Sequence, residues 1–308
     1  MKKCHRLLII QLLLCLSVLN SSCGKNIFQR TNADDVDGET AKTGILKRFE
    51  RSSSKTEKIL NKDGSIIEER FKVPEGFERV EVQKDSFGEF LRTIKLRPDG
   101  TKVKYYDGKE KPGDVYDAVL DIDVGDRDLQ QCADAVMRLR GEYLYKRGLY
   151  DKIAFHFVSG FLADYSTWMK GNRINVEGNN AYWVKKTDYS NEYSSFRQYM
   201  DMVFAYAGTV SLEKELKSVA VEDMKIGDVF IKGSLPGHSV IVVDMAENKK
   251  TGEKLFMLAQ SYMPAQDIHI LKATQNEGLS PWYSTGFGDT LKTPEWQFSK
   301  EQLRRFMD

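Results

Sequence analysis

The chain has 308 residues, with 46 basic and 45 acidic side chains, a net charge of +1 and an apolar fraction of 41%. That balance supplies ample material for a packed core and excludes the strongly basic surface that a nucleic-acid partner requires. No apolar run in the chain is long enough to cross a bilayer.

The first elements belong to export. Lys2, Lys3 and Arg6 form a positive head, Leu7 to Leu19 an almost unbroken apolar run, and Ser21-Ser22 a pair of small residues before Cys23. Charge, apolar stretch and small residues in that order make a secretory signal over residues 1–22. The apolar run holds 13 residues, short of the ~20 that span a membrane. The small-small-Cys ending resembles the lipobox of bacterial lipoproteins. The resemblance implies cleavage before Cys23, lipidation of Cys23 and a membrane anchor. Gly24 in place of Asp places the protein at the outer membrane if enterobacterial sorting rules apply. Residues 23–65, dominated by Lys, Arg, Asp, Ser and Thr, are expected to form a lipid-anchored flexible tether. Residues 66–308 are expected to form a single globular domain.

Within that domain Ile66–Phe71, Phe77–Val82 and Lys102–Tyr106 are predicted strands, separated by the turns Pro74-Glu75-Gly76 and Pro98-Asp99-Gly100. Ser86 is placed to cap a short helix reaching Ile94. After Gly125-Asp126, Leu129, Ala133, Val136, Met137, Leu139, Tyr143 and Leu144 recur at three- and four-residue spacings, which predicts a long helix ended by Gly148. Ile153–Val158 alternates as a strand, 161–170 suits a short helix, and 173–192 reads as irregular. A second amphipathic helix is expected over Ser194–Tyr206, stopped by Gly208, with Ser211 capping a further turn or two. Short apolar runs at 228–232, 239–245, 255–260 and 268–271 predict strands, and 299–307 a terminal helix. Helices first and an antiparallel sheet later is the order of an α+β fold.

Cysteine counting points to a site. Cys4 and Cys15 leave with the signal and Cys23 carries lipid, so the mature domain holds one thiol, Cys132. Exported compartments usually oxidise thiols, and a cysteine with no partner is either a packing residue or a reactive group. Gln131-Cys132-Ala133-Asp134 opens the long helix, where partial positive charge and free N–H groups stabilise a thiolate and a developing oxyanion. In Pro236-Gly237-His238-Ser239 a histidine opens a strand after a tight turn, within reach of nucleophile and water. Leu258-Ala259-Gln260-Ser261-Tyr262 ends the next strand. Gln260 is the preferred group to orient the imidazole, with Asp244 and Asp267 as alternatives. His156, mid-strand, is read as structural, and His269 follows Asp267 in an alternating segment. His156, His238 and His269 lack metal-ligand spacing, and no Gly-rich phosphate loop occurs, so no metal or other cofactor is expected. Trp168, Tyr182, Trp183, Tyr262, Trp282 and Tyr283 are candidates to line a groove.

A helix-borne cysteine, Gly227-Asp228-Val229-Phe230, Gly237-His238 at a strand start and a polar residue on the next strand together resemble the NlpC-type branch of papain-like cysteine peptidases, over roughly residues 128–262. The resemblance implies a papain-like core in which the helix carrying the cysteine packs on an antiparallel sheet with extra N-terminal strands. It makes Cys132 the nucleophile, His238 the general base and Gln260 the orienting residue, with 150–220 as an insertion. It further implies a cysteine hydrolase, an amidase or peptidase acting on peptidoglycan or another envelope polymer. Over its whole length the chain resembles, more closely, the bacterial lipoproteins of domain of unknown function 4846. That likeness rests on Asp128–Ala135, Pro236–Asp244 and Leu258–His269, and implies an envelope location without a reaction. The alternative function is a non-catalytic envelope lipoprotein that binds a glycan, a peptide or a partner protein, with Cys132 merely packed.

Overall fold

The structure is a computed structural model that describes residues 59–307. The expected signal peptide, the expected lipidation at Cys23 and the expected tether as far as residue 58 lie outside the described residues. Residues 59–307 fall within one compact unit. Packing begins earlier than the expected tether boundary at 65, because Ile59 is buried in the core and Leu60 bridges to Phe71.

In chain order come α1 (Ile67–Arg70), β1 (Glu78–Arg79), α2 (Phe87–Arg92), β2 (Tyr116–Val119) and the long helix α3 (Cys132–Lys146). β3 (Ala154–His156), β4 (Leu162–Asp164), α4 (Tyr165–Met169), β5 (Asn172–Glu177), β6 (Asn180–Lys185), α5 (Tyr193–Tyr206) and α6 (Thr209–Glu215) follow. The last third is β7 (Leu216–Ser218), β8 (Val229–Lys232), β9 (His238–Glu247), β10 (Lys254–Gln260), β11 (His269–Leu271), β12 (Tyr283–Ser284), β13 (Thr290–Lys292), β14 (Gln297–Ser299) and β15 (Leu303–Phe306). The architecture is α+β.

The centre is an antiparallel sheet in the order β2-β11-β10-β9-β8-β15-β7, with β1 added to β9 and β12 to β10. β9 explains its own composition. Successive side chains point to opposite faces: Ile241 and Val243 join the core beneath the helices, while Val240 and Val242 join a second core with Phe256, Leu258, Tyr283 and Phe298. Both faces are covered, so the run reads as unbroken apolar sequence rather than as alternation. The N-terminal segment belongs to this same sheet. Asp244, buried in β9, accepts from Arg79 Nε at 2.8 Å and Arg92 Nε at 2.7 Å, which ties β1 and α2 to the central strand.

Several elements differ from expectation. Ile66–Phe71 is not a strand: Ile67–Arg70 makes one helical turn, its flanks held by bridges from Ile66 to Lys95 and from Leu60 to Phe71. The expected strand at Lys102–Tyr106 contributes only isolated bridges at Lys104 and Tyr105. The segment 161–170 splits into β4 and α4, where Asp164 caps the helix by accepting from Thr167 N–H at 2.8 Å. Residues 173–192, read as irregular, contain the β5–β6 hairpin, turning at Gly178-Asn179 with Glu177 opposite Asn180. Arg173-Ile174-Asn175-Val176-Glu177 alternates polar and apolar before the two-residue turn Gly178-Asn179, so the hairpin was legible locally beneath a polar, aromatic composition. Residues 299–307 do not form a helix. After a single 3₁₀ turn, β15 inserts between β8 and β7, with Leu303 opposite Phe230 and Phe306 opposite Leu216. Unpaired strand edges recruited the segment, and tertiary pairing overrode its helical spacing. Among the described residues, no helix is long and apolar enough to cross a membrane.

Candidate functional site

The site is assembled from three sequence stretches that lock one another. Cys132 is the first residue of α3, preceded by Gln131 in extended conformation. The Gln131 N–H donates to Asp134 Oδ2 at 3.0 Å, which closes the first turn. The approach to the helix is pinned by the loop after β10. Asp128 Oδ1 accepts from the Ala265 N–H at 2.7 Å, and Ser261 Oγ lies 3.0 Å from the Gln130 carbonyl. These bonds set where Cys132 emerges.

His238 is the first residue of β9. A Cβ on Gly237 would stand 2.4 Å from both the Ser234 carbonyl oxygen and Thr209 Oγ1, so only glycine allows the chain to turn there and deliver His238 to the sheet. The sulfur of Cys132 rests against main-chain N–H groups of Cys132, Ala133 and Ser239, the last being the residue after His238. Cys132 and His238 line one cavity of about 410 Å³, together with Leu129, Phe204, Tyr262 and Trp296. Leu235 and Met263 stand at its edge, 94% and 59% exposed, whereas Cys132 is 9% and His238 1% exposed.

Behind the imidazole runs a hydrogen-bond chain whose polarity can be deduced. His269 Nδ1 lies 2.9 Å from the Asp267 carbonyl, an acceptor only, so Nδ1 carries the proton and Nε2 a lone pair. Gln260 Nε2 donates to Glu295 Oε2 at 2.6 Å and faces that lone pair at 3.3 Å. The amide orientation follows, and Gln260 Oε1 accepts from His238 Nε2 at 2.8 Å. His238 is therefore the Nε2–H tautomer, and its Nδ1 lone pair is left to accept a proton. Glu295 is in turn held by Lys111 Nζ at 2.6 Å. Tyr262, Trp296 and Phe298 enclose the ring, with centroids 4.6, 5.3 and 5.9 Å away.

The alternatives for the third residue are occupied elsewhere. Asp244 serves the two arginines that dock β1 and α2. Asp267 accepts from Arg97 Nη1 and the Lys104 N–H, each at 2.8 Å. His156 lies outside this cavity and pairs with Glu215 at 3.0 Å. Of the groove aromatics, only Tyr262 reaches this cavity. Trp282 and Trp168 are packed in the core.

The family model for domain of unknown function 4846 matches residues 67–305, most of the chain. The chain belongs to that family. No curated protein and no solved structure matches it. The three stretches on which the likeness rests are those that meet here: the entry to α3, the start of β9 and the loop after β10.

Two contributors escaped sequence reading. Glu295 follows Pro294 in a turn, and Lys111 sits in Gly108-Lys109-Glu110-Lys111-Pro112, which reads as solvated loop. No spacing relates either to His238. Only Trp296, in an aromatic-rich stretch before Phe298, carried a local sign of burial.

Burial dominates the electrostatics. It pushes the Cys132 thiol up to about 11, assisted by Asp134 and opposed by the N–H groups at the sulfur. It pushes the Asp134 carboxyl up to about 8, so at neutral pH this neighbour is mostly protonated and its negative charge is largely absent. Burial also lowers His238 to about 4, against the hydrogen bond that its Nε2–H donates to Gln260, which favours the charged form. The resting pair is thus thiol and neutral imidazole. Among the described residues, no group of three or more His, Cys, Asp or Glu side chains could hold a metal ion.

Proposed function

We propose that the protein is a lipid-anchored envelope hydrolase that uses Cys132 as nucleophile, His238 as general base and Gln260 as the residue orienting His238. The observation that carries this reading is the tautomer of His238, whose Nε2–H is committed to Gln260 while Nδ1 stays basic beside a cavity shared with the thiol. A cysteine on a helix N-terminus packed against the strand that starts with the histidine also supports kinship with NlpC-type papain-like enzymes.

In the reaction, His238 Nδ1 takes the thiol proton as the sulfur attacks a carbonyl carbon. N–H groups at the start of α3 stabilise the oxyanion. The imidazolium returns the proton to the departing amine, the carbon–nitrogen bond breaks, and a thioester remains on Cys132. Water, activated by the same imidazole, then releases the acid and restores the thiol. Because the thiol is protonated at rest, its proton passes to His238 Nδ1 in step with attack of the sulfur on the carbonyl carbon. The substrate class is an amide of peptidoglycan or another envelope polymer, consistent with the export signal and with Cys23.

Incubation with peptidoglycan fragments, read by mass spectrometry, tests this. New amine and carboxyl termini are expected, and Cys132→Ala and His238→Ala should each lower the rate about 10³-fold. Turnover that survives Cys132→Ala would overturn the assignment. The other reading, a binding domain without chemistry, is favoured by the high thiol value. It predicts fragment binding that is equal in wild type and Cys132→Ala, with no new termini.

A further inference from the structure

A second cavity, of about 430 Å³, shares no lining residue with the first. Its walls are the later turns of α3, the segment 154–158, β4 and the end of α6. Phe155 and Phe157 form an apolar floor, and Val158, Leu162 and Met307 bring exposed apolar side chains to the opening. A volume of this size with apolar walls and a few convergent polar groups suits a small ligand.

The charges around it are one-sided. Lys152 and Lys214 line the cavity, are exposed, and have no salt-bridge or hydrogen-bond partner for their ammonium groups among the described residues. The one carboxylate in the wall, Glu215, is already engaged, since Oε1 meets both the main-chain N–H of His156 and His156 Nδ1. Cations without counter-ions beside an apolar floor are complementary to a molecule with an anionic head and a hydrocarbon body.

We infer that this cavity binds a small amphiphilic anion, a carboxylate or phosphate bearing a short alkyl or aryl chain, with its head at Lys152 and Lys214 and its chain on Phe155 and Phe157. The inference is independent of the Cys132 reaction. Free acyl anions and membrane lipids share this chemistry, and the test separates them.

Calorimetric titration of the intact protein with octyl phosphate, octanol and inorganic phosphate distinguishes the contributions. Octyl phosphate is expected to saturate at one site, with octanol and phosphate each about tenfold weaker or more, because each lacks one half of the recognition. The double variant Lys152→Glu/Lys214→Glu should weaken octyl phosphate about tenfold, and Leu162→Glu should do likewise without lowering thermal stability. Blocking Cys132 by alkylation should leave the titration unchanged. The inference falls if octyl phosphate does not saturate, if octanol matches it, if the double variant binds equally, or if alkylation abolishes binding. Binding to phosphatidylglycerol vesicles without binding to octyl phosphate would also overturn it, and would make this face a membrane contact instead.

Discussion

Gln260 is the residue on which the candidate site turns, because its amide reads the states of three neighbours at once: a carboxylate, a lone pair and an N–H. Nitrogen NMR on labelled histidine should find His238 as the Nε2–H tautomer and His269 as the Nδ1–H tautomer. The reverse assignment at His238 would remove its basic nitrogen from the reaction. Replacing Glu295 by Gln frees the amide to rotate, and is expected to cut any hydrolytic kcat about tenfold while leaving KM nearly unchanged. The burial that raises the thiol to about 11 predicts that alkylation of Cys132 by iodoacetamide is slow at neutral pH and accelerates toward that value. Rapid modification at neutral pH would contradict the buried geometry.

The same burial makes stability depend on pH, with opposite signs at different residues. His238 and His269 are lowered from 6.5 to about 4 and about 3, so below 6.5 the unfolded chain binds protons that the folded one does not. Their stabilising contribution is complete above the unfolded value and is lost as pH falls from about 6.5 toward the folded values. Asp134, raised from 3.8 to about 8, behaves oppositely: its folded form holds the proton, and stability declines as pH rises through that interval. Urea unfolding across this range should show the acid limb flattened by His269→Gln and the alkaline decline flattened by Asp134→Asn.

At the scale of elements, β15 decides how the sheet closes beyond β8. Its Arg305 grips Asp228, buried at the start of β8, through Nε at 2.6 Å and Nη2 at 2.7 Å. Removing one partner of such a pair strands a buried charge. Arg305→Ala is therefore expected to cost about 3 kcal/mol in urea unfolding. A loss below about 1 kcal/mol would show that strand pairing alone holds β15. The turn before β9 is equally intolerant. Gly237→Ala drives a methyl into the Ser234 carbonyl and Thr209 Oγ1, so about 1–3 kcal/mol of stability and the placement of His238 should be lost together.

Across the whole molecule, the segment before α3 is part of the central sheet rather than a lobe of its own, since β1 pairs with β9 and β2 with β11. Asp244 is the junction, buried between Arg79 and Arg92. Asp244→Ala leaves both guanidinium groups without their carboxylate, and is expected to cost about 3–5 kcal/mol. Unfolding should remain a single transition by fluorescence and circular dichroism, because the segment has no separate core. Two separated transitions would instead mark the segment as an independent unit.

Local pattern by itself determined the long helix, α2 with its Ser86 cap, α5 and the strands β8 to β11. In each, apolar spacing and glycine or proline boundaries agree with the final packing, and a short-range code suffices. It also singled out Cys132, His238 and Gln260 as candidates, since each lies at the end of such an element; Cys132 and His238 line the cavity, and Gln260 is buried behind His238. Only the tertiary structure decided that 299–307 extends the sheet and that Asp244 serves two arginines. It alone brought Glu295 and Lys111 behind Gln260. These outcomes depend on backbone edges and charges from distant segments meeting in space, and such meetings leave no period in the chain.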